Sequence, residues 1–156
     1  MSVVDIDRRA PVKAEDVIEI RAHPGAVWDT VAAIERWPDW NPGVIRARLK
    51  GDLKPGTVFV WKTRSGTITS TLQVVERPAR LAWTGRIMGI RAIHVWRFTA
   101  VPGGTRVETA ESMTGPMAGL LRGMFTAMVT RLLRGGLEAL KAETERAAGR
   151  GTAAET

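Results

Sequence analysis

Apolar positions recur along this chain with two different periods, and the switch between them marks the elements. "DVIEIRA" (Asp16–Ala22) sets Val17, Glu19 and Arg21 against Ile18, Ile20 and Ala22, which predicts an opening strand. Val27, Trp28, Val31, Ile34 and Trp37 then recur at helical spacing behind Pro24, a residue favoured in a first helical turn. "PDWNPGV" follows, and its two prolines stop that helix, leaving a tight turn or a short second helix. Beyond it the period is two. "VIRARL", "TVFVWKT", "TITSTLQVVE", "RLAWTGRI", "IRAIHVWRFTAV" and "TRVETAESM" all read as strands. Turn residues separate them at Lys54-Pro55-Gly56, Ser65-Gly66, Pro78-Ala79, Met88-Gly89 and Pro102-Gly103-Gly104. Connections this short predict an antiparallel meander, because parallel crossovers need about a dozen residues.

The period returns to helical after Pro116. Leu120, Leu121, Met124, Phe125, Met128, Val129, Leu132, Leu133, Leu137 and Leu140 form a broad apolar stripe. An unbroken helix from Pro116 to Arg146 would run about 46 Å, and Gly135-Gly136 predicts a bend or break within it. Residues 1–15 read as a polar leader, 16–147 as one domain and 148–156 as a disordered tail. One apolar-leaning sheet face and one apolar helix stripe bury each other when a curved sheet wraps around the helix. Incomplete filling between them would leave a cavity suited to an apolar ligand.

Three stretches carry a resemblance: "IRAHPGAVWDTVAAIERWPDWNPGV" (Ile20–Val44), "VVERPARLAWTGR" (Val74–Arg86) and "HVWRFTAVPGGTRVETAESMTG" (His94–Gly115). Together with the element order, the chain resembles the START-like (SRPBCC) superfamily, in its polyketide cyclase/dehydrase branch, from about residue 16 to 146. That resemblance implies an α+β helix-grip fold. A curved seven-stranded antiparallel sheet would wrap around a long C-terminal helix, with two short helices after the first strand. It also implies a pocket between sheet and helix that holds a hydrophobic small molecule.

His94 is the residue whose chemistry stands out. On the strand "RAIHVWRF" it shares a face with Ala92, Trp96 and Phe98, so its imidazole is either a hydrogen-bonded core group or a pocket acid–base. Glu111 shares a face with Thr105, Val107 and Thr109 on the next strand. Counting back through a hairpin that turns at Gly103-Gly104 puts His94 near residues 112–114, within reach of Glu111. A carboxylate in an apolar pocket would have a raised pKa. Trp61, Ser70, Trp83, Trp96, Phe98 and Thr109 are expected to line the pocket from the sheet. Leu121, Met124, Phe125 and Met128 would line it from the helix, and Trp37 and Trp40 would frame its mouth. As stripes at regular spacing, these residues also read as plain core.

Composition narrows the classes. There is no cysteine, which excludes disulfides, thiolate metal sites and cysteine nucleophiles. No His/Asp/Glu cluster has metal-ligand spacing, and no cofactor is implied. The chain has no tyrosine, whereas polyketide cyclases generally use tyrosine hydroxyls and an arginine in the pocket. Arg86, Arg91, Arg97 and Arg106 fall mostly on what reads as the outer face. The net charge is +7, but the 18 Arg and 5 Lys are scattered from Arg8 to Arg150 with no cluster longer than a pair. Nucleic-acid binding is therefore a remote third reading. No apolar run is long enough to span a bilayer and no secretory signal is visible, so stable membrane insertion is not expected and a cytoplasmic location is. The leading expectation is a monomeric or homodimeric carrier, sequestering or biosynthesis-accessory protein for an aromatic, polycyclic or lipid-like molecule. The alternative is a cyclase or dehydratase using His94 and Glu111 as acid and base.

Overall fold

A computed structural model describes residues 5–153. Seven strands form one antiparallel sheet: β1 (Val12–Ile20), β2 (Arg46–Leu49), β3 (Val58–Thr63), β4 (Gly66–Glu76), β5 (Arg80–Ile87), β6 (Ile90–Val101) and β7 (Gly104–Thr114). Their order is β1-β7-β6-β5-β4-β3-β2, so β2 to β7 form a continuous meander and β1 closes on β7. Helix α1 (Pro24–Ala32), a 3₁₀ turn (Ile34–Arg36) and α2 (Trp37–Trp40) follow β1. Helix α3 (Pro116–Leu120) and the 32-residue α4 (Arg122–Ala153) come last among the described residues. This is the expected helix-grip architecture.

β1 begins at Val12, four residues before the expected strand. Its inward row is Val12, Ala14, Asp16, Ile18 and Ile20, and the small Ala14 and charged Asp16 hid that alternation in the sequence. Asp16 faces inward because Arg134 of α4 reaches it through Nε and Nη2, both at 2.8 Å. The same guanidinium donates to the Val17 carbonyl, and Lys141 donates to that of Glu19 at 2.9 Å. These bonds hold α4 over the β1 side of the sheet.

Gly135-Gly136 does not break α4, contrary to expectation. Each glycine costs about 1 kcal/mol in a helix interior. The flanking Leu133, Leu137 and Leu140 are at most 3% exposed, and each such side chain gains about 2 kcal/mol on burial. The helix breaks instead at Leu121, between α3 and α4. α4 also runs through Ala153, so residues 148–153 of the expected tail are helical, while 154–156 lie outside the described residues. Nor is the leader merely polar. Ile6 is 5% exposed, on the outer face of the sheet among Val74, Ala82, Val95 and Ala110.

Close approach at one corner fixes a glycine. A Cβ on Gly104 would stand 2.0 Å from the Ile20 carbonyl oxygen, where β7 starts beside the end of β1. Backbone is the obstacle, so no rotamer relieves it. Gly104→Ala is expected to destabilise the protein by about 3 kcal/mol, read as a lowered urea midpoint. An unchanged midpoint would show that the corner can open.

Candidate functional site

The concave face of the sheet holds two apolar clusters. The larger gathers Val27, Trp28 and Val31 of α1 with Leu72, Leu81, Val107, Leu137 and Leu140. At its centre lies a run of touching rings. Trp37 packs against Phe59 at 5.6 Å, Trp61 at 5.4 Å and Trp83 at 5.4 Å. Trp83 meets His94 at 4.9 Å, His94 stacks on Trp96 at 5.2 Å, and Trp96 stacks on Phe98 at 6.3 Å. The smaller cluster joins Val12, Ile90, Met113, Val129 and Leu133, with Ile87, Ala92, Phe125 and Met128 against it.

His94 and Glu111 stand on the same concave face, on β6 and β7 between Ala92 and Met113 of the smaller cluster and Trp96 and Val107 of the larger. They are direct cross-strand partners. The sequence count placed His94 opposite residues 112–114. The turn actually centres on Pro102-Gly103, with Val101 paired to Gly104, and that brings the register back to Glu111. His94 Nδ1 is 3.8 Å from Glu111 Oε2, too long for a direct hydrogen bond. His94 Nε2 is 2.8 Å from Thr109 Oγ1, so the hydroxyl fixes the ring. The two side chains are 13% and 17% exposed. Loss of hydration disfavours both charged forms. It pushes the Glu111 carboxyl up to about 7 and the His94 imidazole down to about 3. Near neutral pH His94 is therefore an uncharged hydrogen-bonding ring, while Glu111 is poised between acid and base.

The other expected site residues divide. Trp61, Ser70, Trp83, Trp96, Phe98 and Thr109 all face inward, and Trp61 donates to the Ser70 hydroxyl at 3.0 Å. Their rings, linked through Trp37, Phe59 and His94, fill the middle of the concave face where a cavity was expected. Trp37, expected at a mouth, is 4% exposed at the cluster's centre and donates to the Val31 carbonyl at 2.8 Å. Trp40 is half-buried beside that cluster. On α4, Phe125 and Met128 pack inward, and Leu121, at the break before it, is half-buried. Met124 is 59% exposed and lines nothing inside. The apolar stripe was too broad to show which side of α4 meets the sheet. Phe59 was missed, although it alternates with Trp61 in "TVFVWKT" and is fully buried against Trp37 and Trp83.

Two donors stand out inside. The indole N–H groups of Trp96 and Trp40 are buried without a hydrogen-bond partner among the described residues. Such orphans are uncommon, because each forfeits its hydration without replacement. No group of three or more His, Asp or Glu is placed to hold a metal ion among the described residues.

Residues 11–145 match the family described as polyketide cyclase / dehydrase and lipid transport, and the chain belongs to that family. No curated protein sequence matches it. Among solved structures, it is similar to the di-domain aromatase/cyclase StfQ of the steffimycin biosynthetic pathway, with 19% identity and a TM-score of 0.76 over 88% of this chain. The chain spans about half of that protein, 52% of its length. It also resembles the Zhui aromatase/cyclase from Streptomyces sp. R1128, with 17% identity, a TM-score of 0.73, and 86% of this chain against 93% of that one. The hypothetical protein jhp0584 from Helicobacter pylori gives 20% identity and 0.73 over 85% of this chain and 86% of its own. At these identities the likeness is one of fold. No helix is long and apolar enough to cross a membrane among the described residues.

Proposed function

We propose that the protein binds a hydrophobic, ring-containing small molecule carrying a carbonyl or hydroxyl group. It would act as a carrier, sequestering or biosynthesis-accessory protein. The ligand's apolar body lies against the Trp83–Trp96–Phe98 rings and the inward side of α4, and its oxygen lies at His94, Thr109 and Glu111. The observation that carries this reading is the unpartnered indole N–H of Trp96, buried beside His94. A ligand oxygen would satisfy that donor without adding charge to a site whose own groups are held near neutrality. Family membership supports the same class of ligand.

Tryptophan fluorescence titrations with neutral hydroxyketones of two to four fused rings test it. Saturable binding is expected, and Trp96→Phe, which keeps the stack but removes the N–H, should weaken it about tenfold. The matching hydrocarbons, which lack the oxygen, should bind both forms alike. Absence of saturable binding by any of these compounds overturns the reading.

A second reading is favoured by one observation, the Glu111 carboxyl raised to about 7. In it, Glu111 moves a proton on a bound carbonyl compound in a cyclisation or dehydration, and neutral His94 orients the oxygen.

A further inference from the structure

Cations scattered along the sequence converge in space. Three stretches build the end of the sheet where β3 meets β4, β5 meets β6, and β7 enters α3. None of them contains Asp or Glu: Leu53–Val75, Arg77–Val107 and Ser112–Leu137. The tips lie against one another. A Cβ on Gly66 would meet the Ile87 side chain at 3.2 Å, and one on Gly115 would meet the Gly89 carbonyl at 2.5 Å. Arg64, Arg86, Arg91, Arg122 and Arg131 are exposed on or beside this end, and none forms an ion pair with a described residue. Several arginines elsewhere are matched, as Arg77 is by Asp29 and Arg134 by Asp16, although Arg9, Arg46, Arg48 and Arg150 are not matched among the described residues.

The same end carries the two most exposed large apolar side chains among the described residues. Met88 at the β5–β6 tip and Leu120 of α3 are each 78% exposed, and Met117 beside it is 46% exposed. Met124 and Leu132, at 59% and 54%, continue from it along α4. Single exposed apolar residues are ordinary, but several gathered at one end among unpaired arginines mark an interaction surface.

We propose that this end docks the protein, peripherally, on the headgroup region of an anionic lipid bilayer. Leu120, Met88, Met117 and Met124 reach the acyl boundary while the arginines lie among lipid phosphates. Charge complementarity selects the partner's sign, and the protruding thioethers and leucines select a partner with an apolar interior. A nucleic acid fits less well. Proteins that hold single strands offer exposed rings for stacking, and no Trp or Phe is among the large exposed apolar residues here. The surface is distinct from the His94–Glu111 site, so the proposal stands or falls separately from any ligand bound there.

Co-sedimentation of the full chain with vesicles tests it, comparing pure phosphatidylcholine with mixtures containing about one-third phosphatidylglycerol. Binding is expected only to the anionic vesicles, with the partition coefficient falling at least about tenfold between roughly 0.05 and 0.5 M salt. Met88→Ser/Leu120→Ser should lower partitioning about tenfold, and Arg86→Gln/Arg91→Gln/Arg122→Gln by more. All five positions are exposed, so circular dichroism should show both variants folded. Failure to bind anionic vesicles at low salt overturns the proposal. So does binding that the arginine variant abolishes but Met88→Ser/Leu120→Ser leaves unchanged, the behaviour of a site for RNA or an acidic protein.

Discussion

Trp83→Ala is expected to cost about 4 kcal/mol, enough to consume much of the 5–15 kcal/mol by which a domain of this size is normally stable. The ring is 4% exposed and touches Trp37, Phe59 and His94 at 4.9–5.6 Å. Removing it forfeits the transfer of a large apolar surface, leaves a hole its neighbours only partly fill, and breaks three ring contacts. Thermal unfolding should fall by about 10 °C. The same hole would admit water beside His94, whose imidazole is held near 3 by burial alone. An NMR titration should therefore find the His94 pKa moved upward toward its ordinary 6.5. A loss below about 1 kcal/mol would mean that the rings are loosely packed and that the middle of the concave face holds space for a ligand. That outcome would place the ligand's apolar body within the ring cluster rather than against it, with its oxygen still at His94, Thr109 and Glu111.

The division between core and site explains what the sequence could and could not reveal. Period-two stretches punctuated by Gly and Pro were enough to place β2 to β7, because every connection in the meander is short. "IRAIHVWRF" showed which residues share a face, and "PGG" nearly showed the register, missing only where the turn centres. Both are local properties. Three features are not local. Which side of α4 meets the sheet depends on the Arg134–Asp16 and Lys141–Glu19 contacts, between residues more than a hundred positions apart. Trp37 sits at the core's centre rather than at a mouth because the 3₁₀ turn at Ile34–Arg36 swings it inward, and no spacing rule announces that turn. The arginines read as scattered because no two of the exposed set are adjacent in sequence, and only the meander returns them to one end.

Glu111→Gln is expected to stabilise the protein at alkaline pH and to leave it nearly unchanged at mildly acid pH. The Glu111 carboxyl titrates near 7 in the fold against an ordinary 4.5. Between those values the native state keeps a proton that the unfolded chain has released, so stability falls as pH rises through that window. The full shift corresponds to about 3 kcal/mol, and water reaching the partly exposed side chain reduces this to about 2 kcal/mol. His94 works in the opposite sense. It titrates near 3 against an ordinary 6.5, so the native state has released a proton that the unfolded chain still holds, and stability falls as pH drops below 6.5. Between about 4.5 and 6.5 the two slopes oppose each other and stability is nearly flat, with an alkaline limb owned by Glu111 and an acid limb owned by His94. Glutamine has the shape of the protonated acid and cannot charge. Urea unfolding should show the variant about 2 kcal/mol more stable than the parent at pH 8 and within about 0.5 kcal/mol at pH 5. His94→Gln should instead gain at pH 4 and not at pH 8. If Glu111→Gln gains nothing at pH 8, the carboxylate is already hydrated and charged in the fold. It would then serve neither as a neutral donor to a ligand oxygen nor as an acid poised near 7. The proton-transfer reading would lose its acid, and the binding reading would keep only Trp96, His94 and Thr109 as its polar end.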